Sequence, residues 1–257
     1  MTGATARIGN GPAGRPADHR ATTGTTADTV ANAPADAGGM ALRAHHGRAD
    51  GPPSLDDLRF RALLGASAWA SLPAAVRRRF GHRLSGARTA TYAGRVVECR
   101  ASVAGRLLAA LLRPIGGPLP TSTDTGVAAA VVVTEDEAGA GQFWTRIYGR
   151  HDGFPKVIRS SKRFRGLTGL EEHVGGGLGM ALTVAAVDGS LRFDSAGYFV
   201  RLGSRRLRLP RWATPGALRV EHVDRGADEF DFTMRLVHPW LGELIWQRAR
   251  FADRDPT

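Results

Sequence analysis

Between Asp228 and Phe251 apolar and polar positions alternate: Phe230, Phe232, Met234 and Leu236 take one parity, and Glu229, Asp231, Thr233 and Arg235 the other. A period of two sends successive side chains to opposite faces, so this stretch predicts a half-buried antiparallel strand pair. Its turn lies at His238–Gly242. The same pattern runs back to about Gly126. Val127–Thr134, Gln142–Arg150, Lys156–Arg165, Leu170–Val174, Leu178–Val187 and segments 191–201, 204–209, 217–223, 229–237 and 243–251 all read as extended. That is about nine or ten strands, hydrogen-bonded in chain order as a meander. Asp188-Gly189 marks a tight hairpin, and the glycines at 175, 176, 177 and 179 mark a turn or wide bulge.

The chain before this sheet is patterned differently. Ser54, Asp56 and Asp57 suit a helix start, with Leu55, Leu58, Ala62 and Leu63 as its apolar stripe. Leu72-Pro73 opens a second helix, and Arg77-Arg78-Arg79 falls at its end, where cations suit the dipole. Ala87–Arg100 is extended, with Gly94 as a bulge or turn. Ser102 then caps an apolar helix, Val103–Leu112, stopped by Pro114. Its leucines make it the natural filler for a curling sheet, and it is too short to span a bilayer. The predicted fold is α+β: N-terminal helices, then a large curved antiparallel sheet, half-barrel or barrel-like, wrapping that apolar helix.

Residues 1–53 change the domain count. They contain no Phe, Tyr or Trp and are mostly small or polar. Such a stretch cannot offset its ordering entropy, so a disordered tail is expected, with a single domain over 54–257. It lacks the apolar run of a secretory signal, and no segment has the roughly 18 apolar residues of a membrane span.

The formal charge is +11, and all but about one unit lies beyond the tail. Only Lys156 and Lys162 are lysines; the other basic residues are arginines. GC-rich coding bias accounts for Ala, Gly and Arg enriched together, and nucleic acid is the minority reading. The basic stretches Lys156–Arg165 and Arg201–Arg211 read as solvated strand faces, with Leu207 and Leu209 buried opposite Arg206 and Arg208. Weak attraction to an anionic surface stays open. One cysteine, Cys99, excludes an internal disulfide and a cysteine-built metal site, so a reducing cytoplasm is the default compartment. The histidines show no metal-ligand spacing, and no cofactor is called for.

Trp144, Arg146 and Tyr148 share one strand face. If that face turns inward, Arg146 requires a carboxylate, and Glu172, sharing its parity with Val174, is the inward partner. Such a pair either fixes strand register or orients the polar end of an apolar ligand. Glu171 and His173 share a face about 7 Å apart along a strand, the spacing an acid/base pair would need.

Phe143-Trp144-Thr145-Arg146-Ile147-Tyr148-Gly149, Glu171-Glu172-His173-Val174-Gly175, Pro239-Trp240-Leu241-Gly242-Glu243-Leu244-Ile245 and Leu72-Pro73-Ala74-Ala75-Val76-Arg77 together resemble a bacterial family, DUF4166. The ordered motifs W-x-R-x-x-G, E-x-x-G and P-x-x-G-E carry the likeness, over about residues 60–251. The resemblance brings no established activity. It implies association with NAD-binding oxidoreductase or epimerase-like domains, although no Gly-x-Gly-x-x-Gly follows a strand in this chain.

The expected function is a non-catalytic module that binds a hydrophobic or amphipathic small molecule in the curved sheet. Trp144, Arg146, Tyr148, Glu172, His173 and Trp240 are the candidate ligand residues, around a void of a few hundred cubic ångströms. Two alternatives stand beside it. One is a regulatory module docking on an oxidoreductase or epimerase-like partner protein. The other is an enzyme using Glu171, His173 and Arg146, which requires all three to line one cleft.

Overall fold

Strand formation follows the alternation. The computed structural model describes residues 56–85 and 88–253. The expected tail and the Ser54 cap lie outside these residues. Eleven strands form one antiparallel sheet: β1 (Ala90–Ala101), β2 (Ala128–Asp136), β3 (Gly141–Tyr148), β4 (Lys156–Arg163), β5 (Glu171–Gly175), β6 (Leu178–Val187), β7 (Ser190–Leu202), β8 (Arg205–Arg208), β9 (Ala217–Gly226), β10 (Glu229–His238) and β11 (Gly242–Ala252).

The sheet closes. Strands β1 to β7 pair in sequence, β7 pairs β9, and β9, β10 and β11 return to β1. The result is a ten-stranded barrel, with β8 attached outside the ring along the second half of β7. Closure removes the exposed edges that a half-barrel would leave. Asp188 and Gly189 take φ 48° and 74°, which makes β6–β7 the hairpin that seals it.

The apolar helix is not the filler. Helix α4 (Val103–Leu111) is capped by Ser102, whose Oγ accepts from the Gly105 amide at 3.1 Å. Yet Val103, Leu107 and Leu111 are exposed, and only Gly105 and Ala109 are buried. These small residues let the helix backbone lie against β11: a Cβ on Gly105 would strike the Leu244 carbonyl oxygen. The helix packs against β11 on its small-residue face, and a helix wrapped by the sheet is not what the strands enclose.

Large side chains on the strands fill the barrel instead, joined at one end by the N-terminal helices. Helices α1 (Arg59–Leu64), α2 (Ala66–Ala70) and α3 (Ala74–Gly81) lie where the β2–β3, β6–β7 and β9–β10 turns gather. Phe60 and Phe80 meet Phe193 edge-on or tilted at 6.0 and 5.9 Å, and Phe80 also meets Trp144 at 6.2 Å. The arginine triplet does more than suit a dipole. Arg79 turns inward, stacks 3.6 Å over Phe230 and pairs with Asp253 at 2.5 Å.

Candidate functional site

Parity on three neighbouring strands builds a charged cluster inside the barrel. On β3, Trp144, Arg146 and Tyr148 point inward and are buried. On β4, Ile158, Ser160 and Lys162 do the same, and on β5 Glu172 and Val174. Lys162 pairs directly with Glu172 across the β4–β5 ladder, and Ser160 pairs with Trp144, one step diagonal from Arg146. Glu172 Oε1 therefore lies 3.4 Å from both Lys162 Nζ and Arg146 Nη2. The Arg146 Nη2 also donates to Ser160 Oγ at 2.7 Å. Lys162 Nζ sits 4.7 Å over the Trp144 ring, a cation–π contact.

Burial alone would push the Glu172 carboxyl up. The Lys162 and Arg146 charges, with hydrogen bonds from Ser160 and Lys162, outweigh it and hold the group at about 2. Burial lowers Lys162, Glu172 pulls it up, and Arg146 pushes it down again. Beside the cluster, His222 is enclosed by Phe80, Trp144, Phe193, Phe230 and Phe232 at 4.9 to 6.0 Å. Burial, then the Arg79, Lys162 and Arg146 charges, drives its pKa well below 6.5. The Arg146 Nε, His222 Nδ1 and Trp144 Nε1 atoms are buried with no hydrogen-bond partner.

Above Arg146 and Glu172, at the end away from α1–α3, the barrel opens into an apolar cavity of about 50 Å³. Its walls are Val174, Met180, Leu218, Val220, Met234 and Leu236, with Tyr198 to one side. Leu112, Pro118 and Leu119, from the connection after α4, cover it. This falls short of the few hundred cubic ångströms that the binding reading requires, so the cavity as it stands does not meet it. A guest larger than the cavity must push the 112–119 segment aside. Trp144 lines a separate cavity of about 40 Å³ under α3, with Arg79, Tyr92 and Asp253.

A family model for a domain of unknown function, DUF4166, matches residues 72–251. The chain belongs to the DUF4166 family. No curated protein and no solved structure matches it.

The DUF4166 motifs divide between the barrel interior and its surface. Arg146 of W-x-R-x-x-G and Glu172 of E-x-x-G meet at the pocket floor. The P-x-x-G-E set forms the β10–β11 turn, where Trp240 is 75% exposed and is not among the pocket lining residues. Tyr148 is buried inside but does not line the cavity. His173 faces the opposite side of β5 from Glu172. There it shares Glu171 with Arg165 and Arg206, at 3.2 Å from Glu171 Oε2 for the imidazole and 3.3 Å for Arg165. The sheet thus separates Glu171 and His173 from Arg146, and the three do not line one cleft.

Lys162 corrects the reading of its stretch as a solvated face, because it is only 4% exposed. Its parity with Ile158 was the available signal. The second basic stretch departs differently: β8 lies outside the ring, and Leu207 is exposed along with its arginines. Arg206 there stacks 3.8 Å over Phe199. His222 and the methionines of the wall carried no motif. They emerge only once closure brings β9 and β10 opposite β5 and β6.

Proposed function

We propose that this DUF4166 barrel is a binding module for a small amphipathic molecule. The observation that carries the reading is the pairing of an apolar wall with one charged floor, Arg146–Glu172, at the barrel end opposite the helices. Ligand pockets commonly combine a mostly apolar lining with a few convergent polar groups that fix orientation. The covering segment contains Gly116 and Gly117, both at positive φ, and no strand, so it is the element suited to yield to a longer guest.

The test is thermal unfolding with and without 1-octanol, an uncharged eight-carbon amphiphile. A saturable rise in Tm is expected for the natural chain. Leu218→Trp, which places an indole in the pocket wall, abolishes that rise while the variant still unfolds cooperatively. Absence of any ligand-dependent rise, or a rise that survives Leu218→Trp, contradicts the reading.

A second reading is favoured by the surface at the same end. Val103, Leu107 and Leu111 form an exposed stripe on α4, and Trp240 and Leu241 are exposed on the β10–β11 turn. Exposed apolar groups of this kind suit a partner protein, such as the oxidoreductase or epimerase-like partner that the resemblance implies. Copurification with a co-encoded oxidoreductase, lost on Leu107→Glu, supports docking; recovery of the protein alone counts against it.

A further inference from the structure

Two cations share a single carboxylate at the floor of the pocket. Arg146 and Lys162 both reach Glu172 Oε1, and among the described residues neither forms an ion pair with any other carboxylate. The adjoining His222 supplies no negative charge. Arg79 does not change the balance, because Asp253 pairs with it at the other end of the barrel. With Lys162 protonated the cluster carries one positive charge in excess, a state that burial and the Arg146 charge disfavour and that one added anion would balance.

The excess has a direction. Arg146 uses Nη2 on Ser160 and Glu172, while its Nε is buried without a partner. Arg146 also borders the cavity, whereas Lys162 lies beneath it against Trp144 and Phe193. Glu172 borders the cavity too, so a group in it meets the guanidinium beside the Glu172 carboxylate, with the ammonium charge behind. The opposing wall, with Met234, Leu236 and Val220, offers only hydrocarbon and thioether surface.

We propose that the guest is a monoanionic amphiphile, an apolar carboxylic acid, whose carboxylate sits at Arg146 and neutralises the charge shared by Arg146 and Lys162. This rests on the binding reading above and adds the chemical class of the headgroup. A carboxylate completes the cluster as two cations with two anions, and its oxygens accept from the guanidinium in a geometry that Arg favours. A cationic headgroup would deepen the imbalance. A neutral one would leave it in place. The tail extends along Met180, Met234 and Leu236 toward the 112–119 segment.

The experiment is isothermal titration calorimetry of the full chain with three ligands that share an eight-carbon tail: octanoate, 1-octanol and octyltrimethylammonium. Octanoate is expected to bind about ten- to a hundredfold tighter than octanol, the range for a hydrogen bond to a charged group. The ammonium compound binds most weakly. Lys162→Met removes the excess charge without bordering the cavity. In that variant the preference for octanoate over octanol falls to within a few-fold.

Equal binding of octanoate and octanol to the natural chain overturns this inference while leaving the pocket reading intact. Failure of all three ligands to bind removes both. A third control uses sodium chloride with no amphiphile. If chloride alone raises Tm as much as octanoate at equal concentration, the excess charge is met by a simple ion, and the carboxylic acid assignment is wrong.

Discussion

Replacing Glu172 with Gln lowers the stability of the barrel by about 3–5 kcal/mol, measured by urea denaturation, because it leaves two buried cations without their shared anion. Gln keeps the shape and some hydrogen bonding, so packing is little altered. Lys162→Met acts oppositely. It leaves the Arg146–Glu172 pair balanced and puts an unbranched apolar chain against Trp144 and Phe193, so stability is unchanged or rises. In the double variant the loss caused by Glu172→Gln is smaller than in the single one, since only Arg146 is then uncompensated. A near-zero effect of Glu172→Gln in the natural background would mean that water screens the cluster.

The other large effect is on acid stability. His222 is buried among five aromatic rings with its pKa held well below 6.5. In the unfolded chain the imidazole takes up a proton as pH falls through about 6.5, and the native ring does not. The unfolded state then binds more protons, so stability falls with pH by up to about 1.4 kcal/mol per unit below that point. Glu172 adds a second window. Its native carboxyl stays ionised down to about 2, while the unfolded one protonates near 4.5, so its contribution is lost between those values. His222→Phe keeps a flat ring in the cluster and removes a buried nitrogen without a partner. At pH 7.5 its stability stays within about 1.5 kcal/mol of the natural chain. The slope between pH 6.5 and 5 flattens, and the lower window persists. An unchanged slope would show that another group controls the first acid transition.

Strand existence was legible because a period of two needs no tertiary knowledge. That Trp144, Arg146 and Tyr148 share one face, and that Glu172 rather than Glu171 is the partner if that face is the inner one, also followed from parity; which face of β3 turns inward did not. Closure did not, since it depends on β7 pairing with both β6 and β9 while β8 is set aside, and such long-range choices leave no local mark. The packing of α4 is hidden for a related reason. Its leucines suggest a buried helix, but Gly105 and Ala109 form the packed face because they admit the β11 backbone. Lys162 was hidden by its neighbours. Arg159 and Arg163 on the other parity gave the whole stretch a basic character, although Ile158, Ser160 and Lys162 alternate toward the interior. Arg79 shows the same masking within an arginine triplet at a helix end.

The pocket can be read directly through its methionines. Of the four in the chain, Met180 and Met234 line the cavity. With carbon-13 methyl-labelled methionine, titration with 1-octanol should shift the Met180 and Met234 methyl resonances along one saturable curve. Static Met180 and Met234 signals, or signals that drift without saturating, would contradict a guest in the barrel.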